Sequence, residues 1–508
     1  MKQPPGDDRQ TADATPAPAA GIPAGAVSVD VWRAAIPLLV GAGVALLPVP
    51  NGLAAHAWFY FAVFAAVILA LITEPISATG VGIIGVTLVA VTGIVFTPAQ
   101  LADPAFKLPA EAVRWALAGF ANSTIWLIFG AFVFAMGYEK TGLGRRIALV
   151  LVRRLGGRSL GLGYAIMLAD LVLAPFTPSN SARSAGTIYP LVRSIPELYG
   201  SRPGESARRI GSYLMWVAFA TTCVTSSMFV TALAPNLLAL EIIRKTTGLE
   251  ITWLQWFTGF LPVGGLLVAL LPWLIYKLFP PEVRASAEVP KWAAQELAKM
   301  GGLTAREAIM GTLVAMALVL WIFGGRIIDP TLVALVAISL MLVCRVVTWD
   351  DILANKSAWN VLTWFATLFV LADGLNRVGF VGWLGRATAA QLAGHSPTVV
   401  MTALVVLFFL MHYMFASLTA HTTAVLPVIL AAGVAVPDMP VRTFALLLAF
   451  SLGIMGVITP YATGPAPVYF GSGYFSRREF WTLGLVFGLI FLGALLLIGL
   501  PVLRLTAP

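Results

Sequence analysis

The stretch PSNSARSAG, residues 178–186, interrupts an apolar run that extends from residue 161 to residue 192. Basic segments flank this run on both sides, at residues 138–160 and 193–209, and basic loops of a membrane protein mark its cytoplasmic side. A segment with both flanks on one side must enter and leave the membrane through the same face. Each half of the run has about 16 residues and reaches about 24 Å, short of the roughly 30 Å hydrocarbon core. The run therefore predicts a re-entrant helical hairpin, residues 161–195, with PSNSARSAG at its tip.

The composition requires a membrane setting for this run. Of the 508 residues, 59% are hydrophobic and only 11% are charged, whereas a soluble protein has about 25% charged residues. Too few charges remain to cover a water-facing surface, so apolar side chains must face lipid. The net charge of +9 is explained by basic cytoplasmic loops, and no basic stripe interleaved with aromatic residues indicates a nucleic-acid partner.

A second apolar run, residues 396–433, contains the polar stretch ASLTAHTTA at residues 416–424. The same topology count places both of its flanks outside, so it predicts a second hairpin that enters from the opposite face. Each hairpin is followed by an over-long apolar segment, 208–241 or 441–475, that prolines interrupt. Two halves with the same order of elements and oppositely directed hairpins are typical of an inverted repeat.

These patterns predict an all-α polytopic membrane protein, an inverted repeat of about eleven transmembrane helices with two re-entrant helical hairpins. The predicted spans lie near residues 33–50, 54–73, 79–97, 122–141, 208–241, 253–278, 306–323, 331–346, 359–375, 441–475 and 478–504. The predicted parts are a disordered cytoplasmic tail (1–30), a first half (31–278) with the inner hairpin, a cytoplasmic linker (279–305) and a second half (306–508) with the outer hairpin. We expect a multi-pass protein of a bacterial-type inner membrane with a cytoplasmic N-terminus.

The four helix interruptions, two tips and two proline breaks, predict one binding site, because unpaired backbone at membrane depth is tolerated only where it lines a cavity. Polar residues at the tips stand where helix N-caps belong, and the free N–H groups of a helix start attract anions. The proline breaks free backbone carbonyls and add hydroxyl and amide groups. The candidate substrate-binding residues are Ser179, Asn180, Ser181, Thr231, Asn236, Ser417, Thr419, Thr459 and Thr463. The alternative for each hydroxyl is a packing role.

Four stretches carry a resemblance to a known family: PSNSARSAG, TALAPN (231–236), SLTAHTTA (417–424) and TPYATGPAPVYFGSGY (459–474). The chain resembles the divalent anion:sodium symporter family, and within it the branch of 2-oxoglutarate/malate translocators and citrate:succinate antiporters. The family pattern at both tips is Ser-Asn-Thr; the tips here read Ser-Asn-Ser and Ser-Leu-Thr, so Leu418 offers no amide. The resemblance implies a homodimer, an elevator-like movement of a transport domain, and substrates of the succinate, malate, 2-oxoglutarate or citrate type.

Sodium symporters of this family are expected to bind Na+ beside each tip. In this chain Arg183 lies four positions after Ser179, and His421 lies four positions after Ser417. We expect these two side chains to replace the sodium ions, since a fixed positive charge offset by a dianionic substrate would give sodium-independent exchange. Two alternatives stay open. In one, Arg183 has a structural role and pairs with a nearby acid, Asp170 being the first candidate, or extends to water; in the other, His421 is neutral or carries a proton.

The predicted function is therefore a secondary transporter that exchanges small di- or tricarboxylates and needs no cofactor. A sodium-coupled dicarboxylate or sulfate symporter is the alternative, and Na+ would be its cofactor. An anion channel is a further rival, because inverted repeats with hairpins occur in channels as well. We expect no enzyme activity and no metal site, because the HExxH motif is absent and the histidines are only His56, His395, His412 and His421.

Overall fold

The protein is described from a computed structural model, which covers residues 31–285, 287–325, 327–392 and 394–506. Within these residues the regular elements are helices, and the β-type pairing consists of one isolated bridge between Arg158 and Ala285. The predicted all-α membrane class is confirmed. The predicted tail, residues 1–30, lies outside the described residues.

The first part of the chain forms helices α1 (Val31–Leu46), α2 (Ala55–Thr73), α3 (Ala78–Thr92), α4 (Pro98–Ala102), α5 (Leu108–Leu117), α6 (Ser123–Thr141), α7 (Leu143–Leu155), α8 (Ser159–Leu173), α9 (Tyr189–Glu197), α10 (Gly211–Met228), α11 (Ala234–Thr247) and α12 (Trp253–Leu278). Short 3-10 segments occupy Ala118–Ala121, Ala174–Phe176, Ala207–Arg209 and Val230–Ala232, and a π-helix occupies Ser181–Ile188.

The second part forms α13 (Glu288–Met300), α14 (Ala305–Phe323), α15 (Pro330–Val343), α16 (Trp349–Ala354), α17 (Lys356–Arg377), α18 (Phe380–Leu392), α19 (Pro397–Met411), α20 (Leu418–Val434), α21 (Val441–Ile454), α22 (Ala466–Gly471), α23 (Arg477–Ala494) and α24 (Leu500–Thr506). His412–Met414 and Met455–Val457 are 3-10 segments, and Leu495–Gly499 is a π-helix. Several helices begin where the sequence offers a capping box, as at Thr252, Thr304 and Ser476, because side chain and backbone there satisfy each other's hydrogen bonds.

Among the described helices, seven are long and apolar enough to cross a membrane, or eight if the bent pair Leu108–Ala121 and Ser123–Thr141 is one span. Each of the predicted spans overlaps a helix or helices separated by a break, but α1, α3 and α15 have only 16, 15 and 14 residues and are shorter than predicted. The first arms of the two hairpins, Ser159–Phe176 and Pro397–Met414, have 18 residues each. They reach about 27 Å, slightly more than the sequence pattern predicts, because each arm continues into a 3-10 turn.

The chain before and after the first hairpin lies at the same end of the molecule. The amide of Ser159 donates to the carbonyl of Arg284 at 3.0 Å, and the amide of Val283 donates to the carbonyl of Arg209 at 3.0 Å. Residues 283–284 therefore contact both the start of the first arm and the chain that follows the second arm. This is the geometry of a re-entrant hairpin, and it brings the start of the predicted linker 279–305 to the same end.

The hydropathy pattern does not predict two amphipathic helices at this end, α7 and α13. They pack against each other, and Arg145 of α7 forms a 2.7 Å ion pair with Glu296 of α13. Arg146 forms a 2.6 Å ion pair with Glu307 at the start of α14. Each of these helices carries a charged face, so neither stands out in a search for long apolar spans.

Helix α10 lies at the centre of the fold. All of its residues are buried, and it packs against α8, α12 and α21. It nevertheless carries the polar residues Thr222, Thr225, Ser226 and Ser227. Buried polar groups are costly unless they find hydrogen-bond partners. Three of these side chains face the first hairpin and Ser227 bonds α21, so α10 fixes the hairpin and the second half relative to each other.

Candidate functional site

The tip of the first hairpin is the non-helical turn between the 3-10 segment that ends at Phe176 and the π-helix that begins at Ser181. Ser179 accepts a 3.1 Å hydrogen bond from the amide of Ala182 and so caps the second arm. Asn180 makes no capping bond, which leaves its amide free for another partner. Ser181, expected just before the helix, is its first residue. π-Helical turns are frequent at functional sites because they re-aim side chains out of the α-helical register.

The first tip is seated on the break in the second half, which separates the 3-10 segment ending at Val457 from α22. The Asn180 amide donates to the Thr463 hydroxyl at 2.7 Å. Gly464 lies so close to Ser181 that a Cβ there would stand 1.9 Å from the Ser181 hydroxyl oxygen. Ser184, further along the second arm, is within 2.9 Å of the Tyr469 hydroxyl. The glycine in TPYATGPAP is therefore required by this close approach.

The break in the first half, residues 229–233, holds the first tip from another side. The Thr231 hydroxyl donates to the carbonyl of Pro175 at 2.6 Å, and the amide of Ala234 donates to the carbonyl of Pro178 at 2.8 Å. The side-chain NH2 of Asn236 donates to the carbonyl of Ser226 at 2.7 Å.

The sequence predicts that Thr231 and Asn236 turn their polar groups toward a substrate. For the hydroxyl of Thr231 and the side-chain NH2 of Asn236 this prediction is wrong. The two residues are buried, and the backbone accepts the donated hydrogen bonds. Their contacts hold the first break and tip in place. The Asn236 side-chain oxygen is buried without a hydrogen-bond partner among the described residues.

The tip of the second hairpin lies between Met414 and α20. Ser417 is the N-cap of α20, and its side chain accepts from the amide of Ala420 at 3.3 Å. Thr419, which the sequence places with the capping residues, lies inside α20 and is buried. This tip also contacts the break in the second half of the chain, because Nε2 of His412 lies 2.8 Å from the carbonyl oxygen of Ala462.

Both tips thus meet one short segment. The first tip contacts Thr463 and Gly464, and the second hairpin contacts Ala462. The second arm of each hairpin begins at or a few residues after these contacts, and a helix start offers free amides and a partial positive charge that favour an anion. Thr459 and Thr463 are buried in the same segment. Among the predicted residues, Ser179, Ser181 and Ser417 keep partly exposed side chains that can reach a ligand.

Arg183 lies behind the first tip, and its side chain is 0% exposed. Its guanidinium contacts both carboxylate oxygens of Asp170 at 3.3 Å, and it donates to the carbonyls of Thr177 and Ala232 at 2.9 Å. The same guanidinium reaches the hydroxyls of Thr222, Thr225 and Ser226 on α10. The predicted pairing with Asp170 is confirmed. The expectation of an unneutralised positive charge at Arg183 is therefore wrong, because the carboxylate cancels it.

His421 is also fully buried, in the first turns of α20. Its ring centroid lies 4.4 Å from that of Phe408 and 5.0 Å from those of His412 and Phe415. Neither ring nitrogen has a hydrogen-bond partner among the described residues. A charged imidazolium in this aromatic enclosure would have no acceptor for its two N–H groups. The geometry therefore corrects the expected cationic role of His421 and favours the neutral alternative.

A cavity of about 670 Å³ extends from the basic end of the molecule toward the first tip. At its outer side it is lined by Arg145, Trp292 and Glu296 of α7 and α13, and at its inner side by Thr177 and Arg183. The sequence gives no sign of this cavity, because its wall comes from segments far apart in the chain. Among the described residues, no group of three or more His, Cys, Asp or Glu side chains is placed to hold a metal ion.

Comparison with known proteins agrees with this architecture. A sequence model of the sodium:sulfate symporter transmembrane region matches residues 28–504. The L-tartrate/succinate antiporters of Shigella sonnei (strain Ss046) and Escherichia coli (strain K12) are 51% identical to the chain over 476 residues, 93% of this chain and 98% of theirs.

Two solved structures resemble the fold. The Alcanivorax borkumensis YdaH transporter has a TM-score of 0.55 at 16% identity and covers 85% of this chain and 99% of its own. Neisseria gonorrhoeae MtrF, described as one of a class of antimetabolite efflux pumps, has a TM-score of 0.53 at 12% identity and covers 85% of this chain and 96% of its own. At these identities the likeness concerns the fold alone.

Proposed function

Since the chain belongs to the sodium:sulfate symporter family, also called the divalent anion:sodium symporter family, we propose that it exchanges small dicarboxylates across the bacterial inner membrane. Tartrate and succinate are the first substrates to test, because relatives that are 51% identical over nearly their whole length are L-tartrate/succinate antiporters. An integral inner-membrane transporter agrees with the apolar helices. The cytoplasmic side is assigned to the end that carries the basic loops.

The observation that carries this proposal is that both hairpins contact one short segment, residues 462–464, at or shortly before the start of their second arms. A C4 dicarboxylate has a charged group at each end, and each group can accept hydrogen bonds from the free amides of one helix start. Ser179, Ser181 and Ser417 supply hydroxyls beside these amides. The hydrogen bond between Asn180 and Thr463 holds the first tip against the shared segment.

Sodium independence is the second element of the proposal, and the surroundings of Arg183 support it. Carboxylate, carbonyl and hydroxyl oxygens are the ligands that hard cations take in proteins. Here such oxygens surround a guanidinium that is part of the chain, including the carbonyls freed at the first tip and the first break. The ring of His421 has the aromatic rings of Phe408 and Phe415 as neighbours. We therefore expect exchange to proceed without sodium.

The sequence suggests a fixed positive charge at Arg183 as the reason for obligatory exchange, and this explanation has to be replaced. Asp170 neutralises Arg183, so a free positive charge cannot be what holds back the empty carrier. In its place, the helix-start amides and the hydroxyl protons of Ser179, Ser181 and Ser417 need an acceptor when the site moves away from water, where unpaired polar groups are costly. Bound dicarboxylate satisfies them. An elevator-like movement of the hairpins in a homodimer completes the proposal and rests on the family resemblance.

The test is exchange in proteoliposomes loaded with succinate, followed with labelled L-tartrate outside, in sodium and in potassium buffers. We expect saturable uptake that needs internal dicarboxylate and is the same in both buffers. Strong sodium-dependent uptake into empty vesicles would support the symporter alternative and overturn the exchange proposal. Counterflow with malate, 2-oxoglutarate, citrate and sulfate then defines the substrate class. Uptake that neither saturates nor responds to internal substrate would indicate a channel.

A further inference from the structure

Glu139 is a charged residue in the wall of the cavity, and the proposed transport site gives this residue no role. It lies in the last turn of α6, is exposed, and lines the cavity together with Arg145, Arg183 and Glu296. Its carboxylate has neither a hydrogen bond nor an ion pair with any residue that the structure describes. It faces the second arm of the first hairpin, where a Cβ at Gly186 would stand 3.8 Å from its Oε1.

The other charges of this wall are compensated. Arg183 is paired with Asp170, and Arg145 is paired with Glu296 at 2.7 Å. Lys299 also contacts Glu296, but its side chain is 73% exposed and does not line the cavity. Glu139 therefore adds an uncompensated negative charge to the wall between the basic end of the molecule and the first tip.

Helix stability gives no reason for a glutamate at this position. The C-terminal end of a helix carries a partial negative charge, and an acidic side chain in the last turn is unfavourable by about 0.3–1 kcal/mol. A neighbouring cation could offset this, but Lys140 is paired with Asp351. The carboxylate thus lies in an unfavourable place for the fold, in the wall of the cavity that an anion would use under the proposed function.

We propose that Glu139 is a charge filter on the cytoplasmic side of the transport path, an inference that rests on the proposed dicarboxylate exchange. Its negative charge lowers the affinity for dianions that approach through the cavity and favours their release. The Coulomb energy is proportional to the charge of the ligand, so a trianion is disfavoured more strongly than a dianion. Glu139 is then a specificity residue that helps select C4 dicarboxylates over tricarboxylates on this face.

Inside-out and right-side-out membrane vesicles that contain the full-length protein test this proposal. For Glu139→Gln we expect the KM for succinate on the cytoplasmic face to fall about 5-fold at low salt. The inhibition constant of citrate on that face should fall by the 1.5 power of this factor, about 11-fold, because the charges are in the ratio 3 to 2. Both changes should shrink in high salt, and the KM on the outer face should not change.

Two controls separate charge from structure. Glu139→Asp keeps the charge and should keep wild-type values on both faces. Asp350→Asn removes a negative charge that lies at α16 and outside the cavity wall, so it should change neither constant. Wild-type exchange with unchanged constants in Glu139→Gln, or equal shifts for succinate and citrate, would overturn the filter alone. Wild-type protein that exchanges no dicarboxylate would overturn the proposed function and the filter with it.

Discussion

The side-chain amide of Asn180 at the first hairpin tip donates a 2.7 Å hydrogen bond to the hydroxyl of Thr463, 283 residues further along the chain. Both residues are buried. This bond ties the interruption of one half of the molecule to that of the other. It also positions Gly464, the next residue, against Ser181. Breaking this bond is therefore a direct test of the proposed substrate site.

Replacing Thr463 by Val should lower exchange roughly 10-fold, because it leaves the buried Asn180 amide without its acceptor, a loss of about 1–3 kcal/mol. Thr463→Ser keeps the hydroxyl and should exchange like wild type. Labelled succinate counterflow at equal protein amounts measures the effect. Full activity of the Val variant would show that the bond between Asn180 and Thr463 has no part in transport.

Gly464→Ala should abolish exchange, because the new Cβ would lie 1.9 Å from the Ser181 hydroxyl oxygen and push the first tip off its seat. Gly471→Ala is the matched control, since a Cβ there meets no atom within 4 Å. Combining Gly464→Ala with Ser181→Gly removes the colliding hydroxymethyl group and should restore protein stability in a thermal unfolding assay. An active Gly464→Ala variant would contradict the close approach.

Arg183→Gln should destabilise the protein by about 3–5 kcal/mol, because Asp170 would remain as a buried charge without its partner. Replacing both residues by apolar ones, Arg183→Met with Asp170→Leu, should cost less than the sum of the single changes. Denaturant or thermal unfolding in detergent measures these differences. Additive losses would mean that the two side chains do not interact.

His421→Leu should keep exchange and raise the stability by about 1 kcal/mol, because two buried ring nitrogens without partners are replaced by an apolar side chain. His421→Lys places a charge in the same aromatic enclosure and should fold poorly. The pair of variants distinguishes the two roles of this residue. Loss of exchange in His421→Leu together with activity in His421→Lys would restore the cationic role that the sequence suggests.

The docking of α13 on α7 should be insensitive to pH between 6 and 8 and should loosen on acidification. The hydrogen bond from Lys299, helped by the charge of Arg145, lowers the pKa of Glu296. A lowered pKa stabilises the folded state above the unfolded value of about 4.3, and this contribution is lost as the pH falls through the folded value. The effect should be small, because Arg145 and Lys299 are mostly exposed and Lys299 lies on α13 itself.

Hydrogen exchange of residues 288–300, corrected for the intrinsic pH dependence, measures this loosening. Glu296→Gln serves as the reference, because it should exchange faster at neutral pH and show no further step in acid. A wild-type step between pH 6 and 8 would assign the transition to another group.

The hairpins were predictable because they depend on lengths that can be read along the chain. An apolar run flanked by basic residues on both sides cannot cross a 30 Å core and return unless it turns inside. The amphipathic helices α7 and α13 and the cavity beside them were not predictable in this way. Their charged faces are satisfied by ion pairs with each other and with α14, and those pairs exist only after folding.

The sequence by itself determined the membrane setting, the helical class, the two hairpins and the positions of the helix breaks, because composition and apolar length are local properties. Only the tertiary structure decided how the polar residues are used. In the folded protein the Thr231 hydroxyl donates to a backbone carbonyl, Asp170 neutralises Arg183, and aromatic rings enclose His421. Such assignments depend on which distant segments pack together, since a buried polar group bonds whichever partner the fold brings within reach.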